Sequence, residues 1–181
     1  MYMSIKRKLE LEGVVKKSLK LFSIEMQNSH HYTEETLRYI VMSQMSALRE
    51  YGAIPNRYKT KPQLSCQYTY KKSKSKISEE WKPDIISAIW DKNGLIIDPI
   101  LAIELKINHS DSDFEKCYHY VNDKIGFHSF KIAIMININA EWRFELDYYK
   151  KKTKGRSEGK IFWCTLDKTI DGRPKIVGKW F

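Results

Sequence analysis

The sequence predicts an α/β fold, a central mixed β-sheet flanked by α-helices, on three observations. Two segments with helical apolar spacing come before any strand. Two β-rich runs then flank the turn sequence "DKNG", and a further helical segment leads into "FKIAIMININ", a nearly continuous apolar run suited to a strand buried on both faces.

Taken in order, residues 5–26 repeat Leu9, Val14, Leu19, Phe22 and Met26 at helical spacing, with a break expected at Gly13. In "TEETLRYIVMSQMSALREYG", Thr33 is the expected N-cap and Gly52 the stop, and Leu37, Val41, Gln44 and Leu48 share a face. "QLSCQYTYKK" alternates well enough for a short strand over 64–70, and "KKSKSKISEEWK" reads as an exposed loop. "DIISAIW" and "LIIDPILAIELKI" form a hairpin through "DKNG". Pro99 has no N–H for a ladder, so it marks a bulge or an edge position near Asp98. "DSDFEKCYHYVNDKI" is a helix with Ser110 or Ser112 as cap and Phe114, Cys117, Tyr118 and Val121 inward. The buried strand spans 130–139. "YYKKKTKGR" reads as a basic loop, and strands over 160–166 and 174–180 follow. With no internal repeat and no linker rich in Gly, Ser or Pro, residues 1–181 are expected to form a single domain.

Composition narrows the function classes. A hydrophobic content of 42% excludes a disordered chain, and the excess of 32 Lys and Arg over 22 Asp and Glu points to a polyanionic partner, nucleic acid ahead of membrane. Cys66, Cys117 and Cys164 contain no CxxC pair, which excludes a zinc finger or a disulfide framework, and Cys117 with His119 is too sparse for zinc. The N-terminus lacks the apolar core of a signal peptide, and no run approaches the roughly 18 apolar residues of a membrane span, so a cytoplasmic location is expected.

The chemistry concentrates in the hairpin. Alternate strand residues share a face, so Ile100, Ala102, Glu104 and Lys106 point one way and Leu101, Ile103 and Leu105 the other. On the preceding strand Asp84, Ile86, Ala88 and Trp90 share a face. Pairing through the turn places the start of the first strand beside the end of the second, and Asp84, Glu104 and Lys106 converge. Two adjacent carboxylates need a compensating cation, and hard oxygen ligands suit Mg²⁺ or Mn²⁺. Lys106 is then placed to orient an attacking water or to stabilise charge building on phosphorus.

These residues carry a resemblance. "PD" at Pro83 and Asp84, with "ELK" at Glu104, Leu105 and Lys106, resembles the PD-(D/E)xK motif of the restriction-endonuclease-like nuclease superfamily. The resemblance covers roughly residues 33–139 and leaves N-terminal helical and C-terminal β additions outside it. It implies a restriction-endonuclease-like core of helix, three-stranded meander, helix and strand. It also implies a metal-dependent endonuclease acting on DNA, with Asp84 and Glu104 as ligands of Mg²⁺ (or Mn²⁺) and Lys106 as the catalytic lysine. The family often adds an acid from the first core helix, here Glu34, with Glu35 as the second choice. Lys116 on the following helix is the matching phosphate contact. Dimers or partner subunits are common when both strands are cut, so a homodimer or partner subunit is compatible.

Around that core, His109 follows the catalytic strand closely enough to touch a phosphate. Lys72 and Lys74 in one lysine-rich run, and Lys151 and Lys152 in the other, are candidates for neutralising the backbone without reading sequence. Tyr68, Tyr70, Tyr148 and Tyr149 lie beside those runs, where aromatic rings stack on unpaired bases. The rival readings are a catalytically silent nucleic-acid-binding module of the same fold, an RNA endonuclease using His30 or His31 at the metal, and an interaction protein whose acids are structural.

Overall fold

The computed structural model describes residues 4–28, 32–50, 54, 57–62, 70–71, 80–94, 96–107, 111–122, 129–138, 142–155, 158–168 and 174–181. Its elements are α1 (Ile5–Asn28), α2 (Glu34–Glu50), β1 (Lys59–Pro62), β2 (Tyr70–Lys71), β3 (Glu80–Trp81), β4 (Ile85–Trp90), β5 (Ile96–Lys106), α3 (Asp111–Asn122), β6 (Ile132–Ile138), α4 (Trp142–Thr153), β7 (Ile161–Lys168) and β8 (Pro174–Trp180). Six strands form one sheet in the order β1-β4-β5-β6-β7-β8, and β2 pairs with β3 apart from it. β1, β4 and β5 are antiparallel, β5, β6 and β7 are parallel, and β8 returns antiparallel. The parallel connections run through α3 and α4. The class is α/β, a mixed sheet flanked by helices, and the order α2, β1, β4, β5, α3, β6 follows the core that the motif implied.

Two helical layers bury the sheet. Leu11, Val15, Leu19 and Phe22 of α1 and Leu37 and Val41 of α2 pack with Leu101, Ile103, Leu105, Ile134 and Ile136. On the opposite side Phe114, Cys117 and Val121 of α3 and Tyr149 of α4 cover Ala133, Met135, Ile161 and Trp163. Phe114 and Tyr149 stack at 3.6 Å between ring centroids. All seven residues of β6 are buried, as its unbroken apolar run requires.

Local chemistry explains the hairpin. In the turn, Gly94 donates its N–H to the Asp91 carbonyl at 3.2 Å and Asn93 donates to Asp91 Oδ1 at 2.8 Å. Gly94 takes φ of +80°, a conformation that L side chains resist. Ser87 lies opposite Leu101 but Ala88 lies opposite Pro99, leaving Ile100 unopposed. A second irregularity follows between Ile89 and Trp90. β5 is central in the sheet, so Pro99 marks a bulge and not an edge.

Several expectations are corrected. The bulge puts Ile100 in the same apolar cluster as Leu101, not on the face of Ala102. α1 runs unbroken through Gly13, which is exposed and has open space around it, and Leu9 is 62% exposed while Leu11 and Val15 take the inner positions. Ser112 is inside α3 and is not its cap, and Ser110 lies outside the described residues. Most of the basic run over 150–156 belongs to α4, because Tyr149 and Thr153 turn inward one helical turn apart. The strand expected over 64–70 lies outside the described residues except for Tyr70, and the ends of the lysine-rich loop pair as β2 and β3. Among the described residues, no helix is long and apolar enough to cross a membrane.

Candidate active site

Thr33 caps α2, its Oγ1 accepting the Thr36 N–H at 3.3 Å, which sets the first turn of the helix and the position of Glu34. β4 pairs Ile85 with Ile103, so the residue before β4, Asp84, falls beside Glu104. Asp84 Oδ2 accepts the backbone N–H of Leu105 at 2.8 Å, which fixes the carboxylate against the end of β5. Glu104 is 4% exposed and accepts a hydrogen bond from the Tyr120 hydroxyl of α3 at 2.6 Å. Lys116 Nζ, one turn before Tyr120, is 3.7 Å from Glu104 Oε2 and 2.6 Å from Asp113 Oδ1. Lys106 Nζ reaches across to Glu34 Oε2 at 3.8 Å. Asp84, Glu104, Lys106, Glu34 and Lys116 therefore gather at one end of β5, between the two helical layers.

The sequence reading missed three members of this constellation. Arg38 of α2 donates from Nη2 to Asp84 Oδ1 at 2.9 Å and from Nη1 to Glu35 Oε1 at 2.6 Å. Tyr120 and Asp113 are the others. The signal was available as spacing, since Arg38 is four residues after Glu34, Tyr120 four after Lys116, and Asp113 three before it. Glu35 is mostly exposed and pairs outward with Arg38, whereas Glu34 faces Lys106, so the geometry separates the two acids.

Burial raises the pKa of Glu34, and the nearby charge of Asp84 adds to the effect. Asp84 is also raised by burial, against the opposing pull of the Leu105 N–H and of Arg38. Glu104 is pushed up to about 8, first by burial and then by the charge of Asp84. Burial works to lower the pKa of Lys116, but the charge of Glu104 and the bond to Asp113 outweigh it and the net shift is upward. Burial is the main cause, and for Glu34 and Glu104 the charge of Asp84 adds to it, so keeping these acids ionised together calls for a compensating cation. A divalent cation with hard oxygen preferences would serve, and Asp84 and Glu104 fit that donor chemistry. Among the described residues, no three His, Cys, Asp or Glu side chains close on a single point.

Beside the acids, Lys106, Asn137 and Thr165 are neighbours across three parallel strands. The Asn137 amide and the Thr165 hydroxyl are buried with no hydrogen-bond partner among the described residues. Other expected contacts fall differently. Lys151 is exposed on α4, and Lys152 belongs to the same helix with its side chain outside the described set. Lys72, Lys74, His109, His30, His31 and Tyr68 lie outside the described residues, as does the side chain of Tyr70. Tyr149 is buried in the core, so it is no base-stacking platform; Tyr148 is half exposed and donates its hydroxyl to Glu115 Oε1 at 2.9 Å. Cys117 is buried, and burial pushes its thiol up.

No family model and no curated protein matches the chain. Among solved structures it is similar to NucC of E. coli MS115-1 in its cAAA-bound form, with a TM-score of 0.43 and 10% identity, over 97% of this chain and 84% of that one. That similarity is too low to transfer residue roles.

Proposed function

We propose that the chain is a metal-dependent endonuclease of the PD-(D/E)xK type that hydrolyses DNA phosphodiester bonds with Mg²⁺ (or Mn²⁺). One observation carries the reading: the antiparallel pairing of β4 and β5 sets Asp84 beside Glu104, with Lys106 next on the same strand. Asp84 and Glu104 would hold the cation, which when bound supplies Lewis-acid activation at the phosphate. Lys106, 42% exposed, has the freedom to donate a hydrogen bond to the attacking water or to an oxygen gaining charge. Glu34 restrains its ammonium from α2. Lys116 holds Glu104 and faces the phosphate as a shared cation, while Lys72, Lys74, Lys151, Lys152 and His109 serve the backbone beyond it. A net charge of +10 supports a polyanionic substrate whose affinity falls with salt. The chain would act in the cytoplasm as a single domain, in a homodimer or beside a partner subunit where both strands are cut.

The deciding assay offers supercoiled plasmid, linear duplex, single-stranded DNA and RNA in Mg²⁺, Mn²⁺ or EDTA to wild type, Asp84→Ala and Lys106→Ala. The expected result is metal-dependent cutting of DNA by wild type alone. Cutting confined to RNA would make the chain an RNA endonuclease. A second reading, a silent nucleic-acid-binding module, is favoured by the guanidinium lodged on Asp84. Salt-sensitive binding with no cutting in any metal would establish it and remove the first.

A further inference from the structure

Arg38 belongs to α2, yet its guanidinium is spread over the acids of the candidate site. Nη2 donates to Asp84 Oδ1 at 2.9 Å and lies 3.8 Å from Glu34 Oε1, while Nη1 donates to the exposed Glu35 at 2.6 Å. The side chain is 13% exposed, and its Nε is buried with no acceptor among the described residues. A guanidinium whose donors all matched their surroundings would leave none stranded, so this placement satisfies the acids better than it satisfies the arginine. Asp84, for its part, has one oxygen committed to the Leu105 N–H and the other to Arg38. A cation approaching Oδ1 meets one lone pair already in use and a positive charge beside it.

We infer that Arg38 is a positioning residue that acts through Asp84 as a built-in counter-cation: it pairs with that carboxylate and keeps it aimed while no divalent ion is present, and it gives up Oδ1 when one binds. This rests on the reading of Asp84 as a metal ligand. Glu35 completes the device. It is already bonded to the far end of the same guanidinium and faces solvent, so it retains the arginine on release, where the stranded Nε also gains water. Ion affinity then becomes the difference between two cations competing for one oxygen, set by Arg38 and Glu35 although neither touches the ion. A merely structural arginine predicts the reverse, since its loss would loosen Asp84 and weaken ion binding.

The test is calorimetric titration of Mn²⁺ into the full chain, stripped with EDTA, as wild type, Arg38→Gln, Glu35→Gln and Asp84→Asn. Removing the competitor should tighten Mn²⁺ binding by about tenfold in Arg38→Gln, the loss of one charge–charge contact. Removing the retaining carboxylate should weaken it by roughly threefold in Glu35→Gln. In EDTA, Arg38→Gln should melt below wild type because Asp84 is left buried and unpaired, and saturating Mn²⁺ should raise its melting point more than that of wild type. Should Arg38→Gln fail to fold, Arg38→Lys serves, because a single ammonium cannot bridge Glu35 and Asp84 together and should also tighten binding. Equal or weaker Mn²⁺ affinity in the folded Arg38 variant, with Asp84→Asn abolishing binding, overturns the inference and leaves the metal reading of Asp84 standing. No Mn²⁺ binding by wild type or by the Arg38 variant overturns both.

Discussion

The hydroxyl of Tyr120 lies 2.6 Å from Oε1 of Glu104, a hydrogen bond between the second half of α3 and the end of β5 inside the protein. It is the donor that keeps a buried carboxylate compatible with its surroundings. Tyr120→Phe keeps the ring against Phe130 and removes only that donor. Because Glu104 ionises at about 8, its form depends on pH. Urea melts of metal-free protein should show a loss of about 1 kcal/mol at pH 6, where the bond joins neutral groups, growing to about 2–3 kcal/mol at pH 9, where it joins a charge. A loss that is the same at both pH values would count against the assignment.

The same carboxylate predicts the direction of pH dependence. Glu104 is raised from 4.5 to about 8, so between those values the folded state holds a proton that the unfolded chain has released. Stability from this group is complete below the lower value and is lost as pH rises through the upper one. Asp84 and Glu34, raised as well, act in the same direction. Relative to Glu104→Gln, metal-free wild type should lose on the order of a few kcal/mol across the window. Saturating Mn²⁺ should flatten the slope by holding Glu104 ionised. Chemical denaturation at successive pH values measures both.

Thr165 lies on β7, between parallel β6 and antiparallel β8, and its buried hydroxyl has no partner among the described residues. Thr165→Val keeps the branched shape that β7 favours and removes the unpaired group. The expected gain is about 1–3 kcal/mol, or some 2–4 °C in melting temperature per kcal/mol. A lower melting temperature would show that the hydroxyl is satisfied, by water or by a ligand of the site.

Gly178 in β8 faces Cys164, and a Cβ there would come within 2.7 Å of Phe162 Cζ. The Phe162 ring is buried and packs against Trp180 at 5.0 Å, so it has little room to retreat. Gly178→Ala should cost about 1–3 kcal/mol by overpacking, measured by thermal or urea unfolding. An unchanged melting temperature would mean that β8 shifts freely at this point.

Strand periodicity and turn chemistry made the heart of the site legible. Asp84, Glu104 and Lys106 follow from alternation, from "DKNG" and from the bulge that Pro99 demands. Ile100 defeats the same rule because a bulged residue leaves the alternation, and only the register shows which residue that is. For Arg38 and Tyr120 the local spacing sets each beside a site residue on its own helix but not its role: the carboxylates they hold are 46 and 16 residues away, brought to them by helix-on-sheet packing that no local window contains. α4 was read as a loop because its lysines dominate the stretch, while Tyr149 and Thr153, which seat it, are too few to impose a visible period. β1 is only four residues long and ends in Pro62, an edge strand with little pattern to offer.

The first helix and the last strands are one packing unit. Trp180 Nε1 donates to Glu12 Oε2 at 3.3 Å, Lys8 lies over the Trp180 ring, and Leu11, Val14 and Val15 share an apolar cluster with Phe162, Cys164 and Leu166. During synthesis α1 emerges well before β7 and β8, which supply part of the surface that covers it. At about 5–20 residues per second, its apolar stripe waits for on the order of ten seconds or more for those strands. Over that interval the nascent chain presents a sticky amphipathic helix, and chaperone capture of translation-stalled chains should be strongest when stalling comes before β7.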